Sequence, residues 1–249
     1  MRARWLVVAV VGLLASGEAL AARPRWRRFE PTDLGLQPPG SVQVDMQVGA
    51  VGGNETKLVL PDAEIDIGLT SRLELDIDGA LSARGPGTAQ ATWEADPLWP
   101  ALKLGLGDVD AGAPVGVAVQ VGPRLPIDPK QHGVGGEALV LVGAHRGDSN
   151  VVLNLGAFAD PRPTGMAHPY AATIGLDAQL ALSPAWRLLG EVGHVRAIAH
   201  TTSSTSFTLG LGRAWPGGSV VSLVALASPG QNGDGYGLLV GWTPVVRVF

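Results

Sequence analysis

Acidic residues recur at alternating positions in the first third of the chain. Side chains of a β-strand point to opposite faces in turn, so this spacing places the acids on one face and the intervening Ile and Leu on the other. A wall of carboxylates would attract cations, and carboxylate oxygens are also ligands for Ca²⁺. Because no loop of Ca²⁺-ligand spacing accompanies them, we predict neither a metal site nor a cofactor. The acids are Asp45, Glu64, Asp66, Glu74, Asp76 and Asp78.

The same face of later segments carries further acids and a smaller number of bases. If the apolar faces contact lipid, these side chains point inward, and the predicted wall is net negative. A cation-preferring interior is one interpretation. The alternative is a polar plug, in which the acids pair with the bases and with Ser, Thr and Gln neighbours. The predicted additional acids are Glu137, Asp177 and Glu191, and the bases are Lys103, Arg124 and Arg187.

A base, a nucleophile and an orienting group lie close together at His145, Ser149 and Asn150, which is the composition of a hydrolase site. These residues lie at a tight link over residues 146–149, however, where Ser and Asn are common turn residues. No G-x-S-x-G sequence and no metal-spaced pair of His residues occurs in the chain. We therefore predict that the protein is not an enzyme.

The elements that position these residues are predicted to be strands. From residue 40 onward the apolar period is two, in segments of the length that crosses a bilayer as tilted strands. Short links, such as residues 70–71, alternate with longer ones, such as residues 83–97. This pattern predicts an all-β, transmembrane, up-and-down antiparallel β-barrel of about twelve strands, with ten as the alternative count.

Aromatic residues fall near the predicted strand ends, where membrane interfaces favour them. We predict one interfacial group at the outer ends of the strands and a second at the inner ends. The outer group is Trp99, Phe158, Tyr170 and Tyr236, and the inner group is Trp186 and Trp215, with Phe249 at the end of the last strand.

The first 39 residues differ from the rest of the chain. Residues 1–21 combine a basic start, a short apolar stretch and a small-residue exit, which predicts a cleaved signal peptide. Residues 22–39 are rich in Arg and Pro and are predicted to form a periplasmic arm, and residues 40–249 the barrel. A net charge of −4 argues against a nucleic-acid partner. The absence of Cys excludes disulfides and thiolate sites.

An exported chain of alternating strands that ends in Phe249 resembles bacterial outer-membrane β-barrels, in which the final aromatic is read by the assembly machinery. Arg247 and Thr243 depart from the apolar alternation of that signal, and Pro244 removes a backbone donor. The resemblance implies a location in the outer membrane, with membrane lipid and the barrel-assembly machinery as partners.

The hairpin of residues 64–75 is similar to the early G-L-T-x-R-L-E-L hairpin of the transporter family named after the MetA pathway of phenol degradation. Lys103 stands where that family often carries Lys. This resemblance implies a porin-like channel or transporter that passes small solutes passively. A closed barrel with a structural or surface-binding role is the alternative function.

Overall fold

The computed structural model describes residues 34–53, 56–85, 91–107, 115–163, 170–198, 203–216, 219–229 and 235–247. The predicted signal peptide and Phe249 lie outside these residues. Twelve long strands within them form one closed antiparallel β-barrel. Strands β1 to β12 are Ser41–Gly52, Lys57–Gly68, Leu73–Arg84, Trp99–Gly107, Val115–Arg124, Gly135–Arg146, Ser149–Ala159, Tyr170–Ala181, Trp186–Ala197, Ser203–Ala214, Val220–Ser228 and Gly235–Thr243.

Each strand pairs with its neighbours in sequence, and β1 closes the barrel by pairing with β12 from Met46↔Trp242 to Gly52↔Tyr236. A short continuation, Val245–Arg247, pairs with the start of β1. Closure leaves none of the twelve described barrel strands at an open edge, which is the condition for strands to lie in lipid. The predicted fold class and the count of twelve strands are confirmed. In the described part of the chain, no helix is long and apolar enough to cross a membrane.

The alternation of side chains gives the barrel a polar interior wall and an apolar outer surface. On β1, the inward residues Gln43, Asp45 and Gln47 are at most 3% exposed. On β4, the outward residues Leu102 and Leu104 are 46% and 43% exposed. Strands of 9 to 12 residues match the thickness of a bilayer when tilted. The outward apolar side chains, here called the apolar belt, therefore cover a height that matches a lipid-facing surface.

The two ends of the barrel differ in their connections. At one end, here called the turn end, residues 69–72, 147–148 and 182–185 make short links. The opposite end, here called the loop end, carries longer links, including residues 85–98 and 125–134. Three short strands, Thr92–Ala95, Gln131–His132 and Arg162–Pro163, lie in these longer links. The longest connections therefore lie at the loop end, as predicted.

Candidate functional site in the barrel interior

The register of β1, β2 and β3 brings the predicted acids together on the interior wall. Glu64 on β2 pairs with Asp45 on β1 and with Asp78 on β3. Two residues nearer the turn end on β2, Asp66 pairs with Asp76 on β3. Paired residues share a face of the sheet, so their side chains are neighbours. Glu74 lies on the same face of β3, two residues before Asp76. We call the whole group the acidic patch: Asp45, Glu64, Asp66, Glu74, Asp76 and Asp78.

Four members of the acidic patch are almost completely buried, while Glu64 and Asp78 are half-buried. Amide side chains of the same wall bind the buried carboxylates. Gln43 Nε2 donates to Asp45 Oδ2 over 2.7 Å, and Gln120 Nε2 donates to Asp76 Oδ2 over 2.8 Å. These bonds hold the carboxylates in fixed positions on a polar wall.

Lys103 is the base that lies among these acids. Its Nζ is 3.0 Å from Glu74 Oε1, and the two side chains are 3% and 1% exposed. Nζ also donates to the backbone carbonyl of Gly35 over 3.0 Å. A buried charge is tolerated when it is paired and hydrogen-bonded, and both conditions hold for this pair.

Carboxylate oxygens of Asp45, Glu64 and Asp66 lie within 4.8 Å of one another, as do those of Asp66, Glu74 and Asp76. Such groups present the oxygen ligands that Ca²⁺ takes. Hydrogen bonds and an ion pair already engage several of these acids, however, as they would in a polar wall. The prediction of no metal site stays a prediction.

Residues 34–39, here called the strap, lie inside the barrel near the turn end. The backbone N–H of Gln37 donates to Glu74 Oε2, and Gln37 Nε2 donates to Gln43 Oε1 over 2.8 Å. Gly68 permits this approach, because a Cβ on it would overlap the carbonyl of Pro38. The sequence predicted a periplasmic arm up to residue 39. Of that predicted arm the structure describes residues 34–39, in which Gln37 is held by polar groups of the interior wall.

The neighbouring part of the interior wall, on β4 to β7, carries an apolar cluster. Leu34, at the described start of the strap, packs against a buried cluster that we call the apolar patch. A Cβ on Gly143 would overlap Leu34 Cδ1, so this glycine makes room for the strap. The strap therefore contacts both the acidic patch and an apolar part of the wall. The apolar patch comprises Trp99, Ala101, Ala118, Leu139, Leu141 and Val152.

Trp99 does not occupy the membrane-interface position predicted for it. It is 5% exposed and belongs to the apolar patch. The physical reason is strand parity, because Trp99 lies on the same face of β4 as the inward Ala101 and Lys103.

Phe158 also points inward rather than to the membrane interface. It shares the inner face of β7 with Asn154, and the guanidinium of Arg124 lies 5.0 Å from its ring centroid. Arg124 forms an ion pair with Glu137 and a second with Asp160, 2.5 Å from Nε to Oδ1. Phe158 is therefore part of a charged cluster at the loop end of the interior.

The remaining predicted inward acids lie on the wall of β8 and β9. Asp177 is 1% exposed and accepts a hydrogen bond of 2.5 Å from Asn154 Nδ2. Glu191 is 8% exposed and accepts a bond of 3.4 Å from Thr208 Oγ1. The register pairs Asp177 with Glu191 and pairs neither residue with the acidic patch, so the two acids together form a second negative site on the interior wall.

Four predicted interfacial aromatics do face outward near the strand ends. Tyr170 and Tyr236, at the loop end, are 51% and 65% exposed. Trp186 and Trp215, at the turn end, are each 41% exposed. Their contact with the membrane interface stays a prediction. The sequence analysis missed Trp242, which is 39% exposed at the turn end of β12 and follows the outward parity of Leu238 and Val240.

His145, Ser149 and Asn150, which have the composition of a hydrolase site, lie at a β-hairpin turn. His145 pairs with Asn150 across it, and Ser149 Oγ accepts a hydrogen bond of 3.0 Å from the backbone N–H of Ala181. Ser149 therefore links its turn to the neighbouring strand.

An ion pair of Arg84 and Glu94 lies at the loop end of the barrel. The hydrogen bond from Arg84 lowers the pKa of Glu94.

Solved structures of outer-membrane proteins are similar to this chain in fold. A loop-deleted OmpT, an outer membrane protein of Vibrio cholerae, has 9% identity and a TM-score of 0.50, covering 82% of this chain and 98% of that one. The translocator domain of the autotransporter NalP from Neisseria meningitidis has 13% identity and a TM-score of 0.47, covering 98% and 94%. The CymD monoaromatic hydrocarbon channel has 10% identity and a TM-score of 0.44, covering 84% and 89%.

No family model and no curated protein sequence matches the chain. At the identities above, the structural likeness shows the fold alone, which is that of a bacterial outer-membrane β-barrel.

Proposed function

We propose that the protein is an outer-membrane channel that passes small solutes passively and prefers cations. The observation that carries this proposal is the acidic patch, which places six carboxylates and Lys103 on the interior wall of β1 to β4. A cleft lined by one sign of charge with low-dielectric walls raises the local concentration of oppositely charged solutes. Cations would therefore be enriched along this side of the interior.

The hairpin of residues 64–75 supports a channel or transporter, because it is similar to that of the MetA-pathway transporter family, of which we propose the chain is a distant relative. In this proposal the turn end faces the periplasm, since outer-membrane barrels carry short turns there. Residues 1–21 direct export, and the assembly machinery reads the end of the chain at Phe249.

A closed barrel with a structural or surface-binding role is the second candidate function. The strap and the apolar patch favour it, because both fill part of the interior. A twelve-stranded barrel is intermediate between filled eight-stranded barrels and open sixteen-stranded porins. The two candidates differ in whether the folded protein conducts ions.

Neutralising the acidic patch tests the cation preference. We expect the triple variant Asp66→Asn, Asp76→Asn, Asp78→Asn to lower the K⁺ to Cl⁻ permeability ratio by roughly fivefold. A charge a few ångströms from an ion in a wet pore changes the ion's free energy by about 1 kcal/mol. The measurement is the reversal potential of reconstituted protein under a KCl gradient.

The matched control removes three acids from the ends of the barrel: Glu94→Gln, Asp128→Asn and Asp148→Asn. It makes the same change in net charge outside the acidic patch, so its reversal potential should stay near that of the unsubstituted protein. Equal reversal potentials for the two triple variants would refute a selective acidic patch.

A further inference from the structure

The outer surface carries an arginine between two indole rings at the turn end. The guanidinium of Arg213 lies 4.0 Å from the ring centroid of Trp215 and 5.4 Å from that of Trp186. Both distances lie within the range of cation–π attraction. Aromatic rings that stack against a guanidinium fix its orientation. They leave the N–H donors at the edge of the guanidinium plane available to a ligand.

The strand register continues this arrangement into a row across four strands. Trp186 pairs with Arg213, Arg213 with Val221, and Val221 with Trp242. All four side chains are exposed on the outer surface. The row follows the turn end of the apolar belt, which is the level at which an indole prefers a membrane interface.

No carboxylate of the neighbouring strands can neutralise this arginine. The described residues of β10, β11 and β12 include no Asp or Glu, and Glu191 of β9 points inward. Within the described residues, the guanidinium of Arg213 makes ring contacts but neither a hydrogen bond nor an ion pair. Its N–H donors are therefore available to an anion from outside the protein.

We propose that Arg213, flanked by Trp186 and Trp215, binds the phosphate group of a membrane phospholipid. Arginine binds phosphate through parallel charge-assisted hydrogen bonds, and the indoles hold it at the headgroup level. Leu211 and Leu223, which are 46% and 51% exposed beside the row, provide apolar surface for the acyl chains. The proposal requires the barrel to lie in a membrane and does not require it to conduct.

The test is titration of the refolded full mature chain, in detergent micelles, with dioleoylphosphatidylglycerol, read by native mass spectrometry. We expect Arg213→Gln to weaken binding by about tenfold or more, since it removes the charge and the paired donors. The matched control is Arg196→Gln, which changes an exposed arginine at the loop end and should bind as the unsubstituted protein does. A heat-induced gel shift checks that each variant is folded.

A second probe needs no variant. Dioleoylglycerol has the same acyl chains without the phosphate, and it should bind the unsubstituted protein at least about tenfold more weakly. Equal binding of the two lipids, or equal phosphatidylglycerol binding by folded Arg213→Gln and Arg196→Gln, would overturn the proposal. Neither readout depends on conductance, so failure of this site and failure of the channel are separate results.

Discussion

Removing the strap is expected to raise the single-channel conductance of the reconstituted barrel several-fold. Residues 34–39 run inside the barrel near the turn end, where they contact both the acidic patch and the apolar patch. A mature chain that begins at residue 40 lacks these contacts and would leave a wider path. The measurement is conductance in planar bilayers at one fixed KCl concentration.

A second strap variant separates the bulk of the strap from its contacts. Replacing residues 34–37 by Gly-Ser-Gly-Ser keeps the length but removes the side chains of Leu34 and Gln37, so we expect an intermediate conductance with more frequent transitions between levels. The same replacement at residues 128–131 of the loop end is the control. If truncation leaves the conductance unchanged, the strap does not limit passage.

Lys103→Met is expected to destabilise the folded barrel by about 3–5 kcal/mol, because it leaves Glu74 buried without its cationic partner. Glu74 is inaccessible to water and pairs with Lys103 over 3.0 Å. The measurement is the free energy of unfolding by urea of the refolded protein in micelles. The control, Lys130→Met, changes an exposed lysine and should lie within about 0.5 kcal/mol of the unsubstituted protein.

The double variant Lys103→Met, Glu74→Gln identifies the cause of that loss. Neutralising the remaining buried charge should restore a large part of the stability, so the two substitutions should be strongly non-additive. Additive effects, or a Lys103→Met variant as stable as Lys130→Met, would contradict a buried ion pair that holds β3, β4 and the strap together.

Strand parity explains both the successes and the errors of the sequence analysis. The acidic patch could be predicted because its acids alternate with Ile and Leu on β2 and β3, so one face had to be polar. Trp99 and Phe158 were assigned from their distance along the strand, without regard to the face on which they lie. Comparing Trp99 with Lys103, and Phe158 with Asn154, on the same strands would have placed both rings inside.

The strap could not be predicted, because its position depends on residues distant in sequence. Leu34, Gly35 and Gln37 lie in a Pro-rich stretch without periodicity. They contact Glu74 on β3, Lys103 on β4 and the apolar patch, whose residues lie on β4 to β7. Local patterns give no information on such contacts. The pairing of Arg213 with Trp186 likewise depends on the register between β9 and β10, which the sequence analysis did not assign.

The measurement that tests the central claim most directly is the current through a planar bilayer containing the refolded mature chain under a tenfold KCl gradient. A cation-preferring channel predicts discrete conductance steps and a reversal potential of cationic sign, approaching about 59 mV for ideal selectivity. Folded protein, shown by a heat-induced gel shift, that gives no steps, or steps that reverse at zero or with anionic sign, would contradict the account.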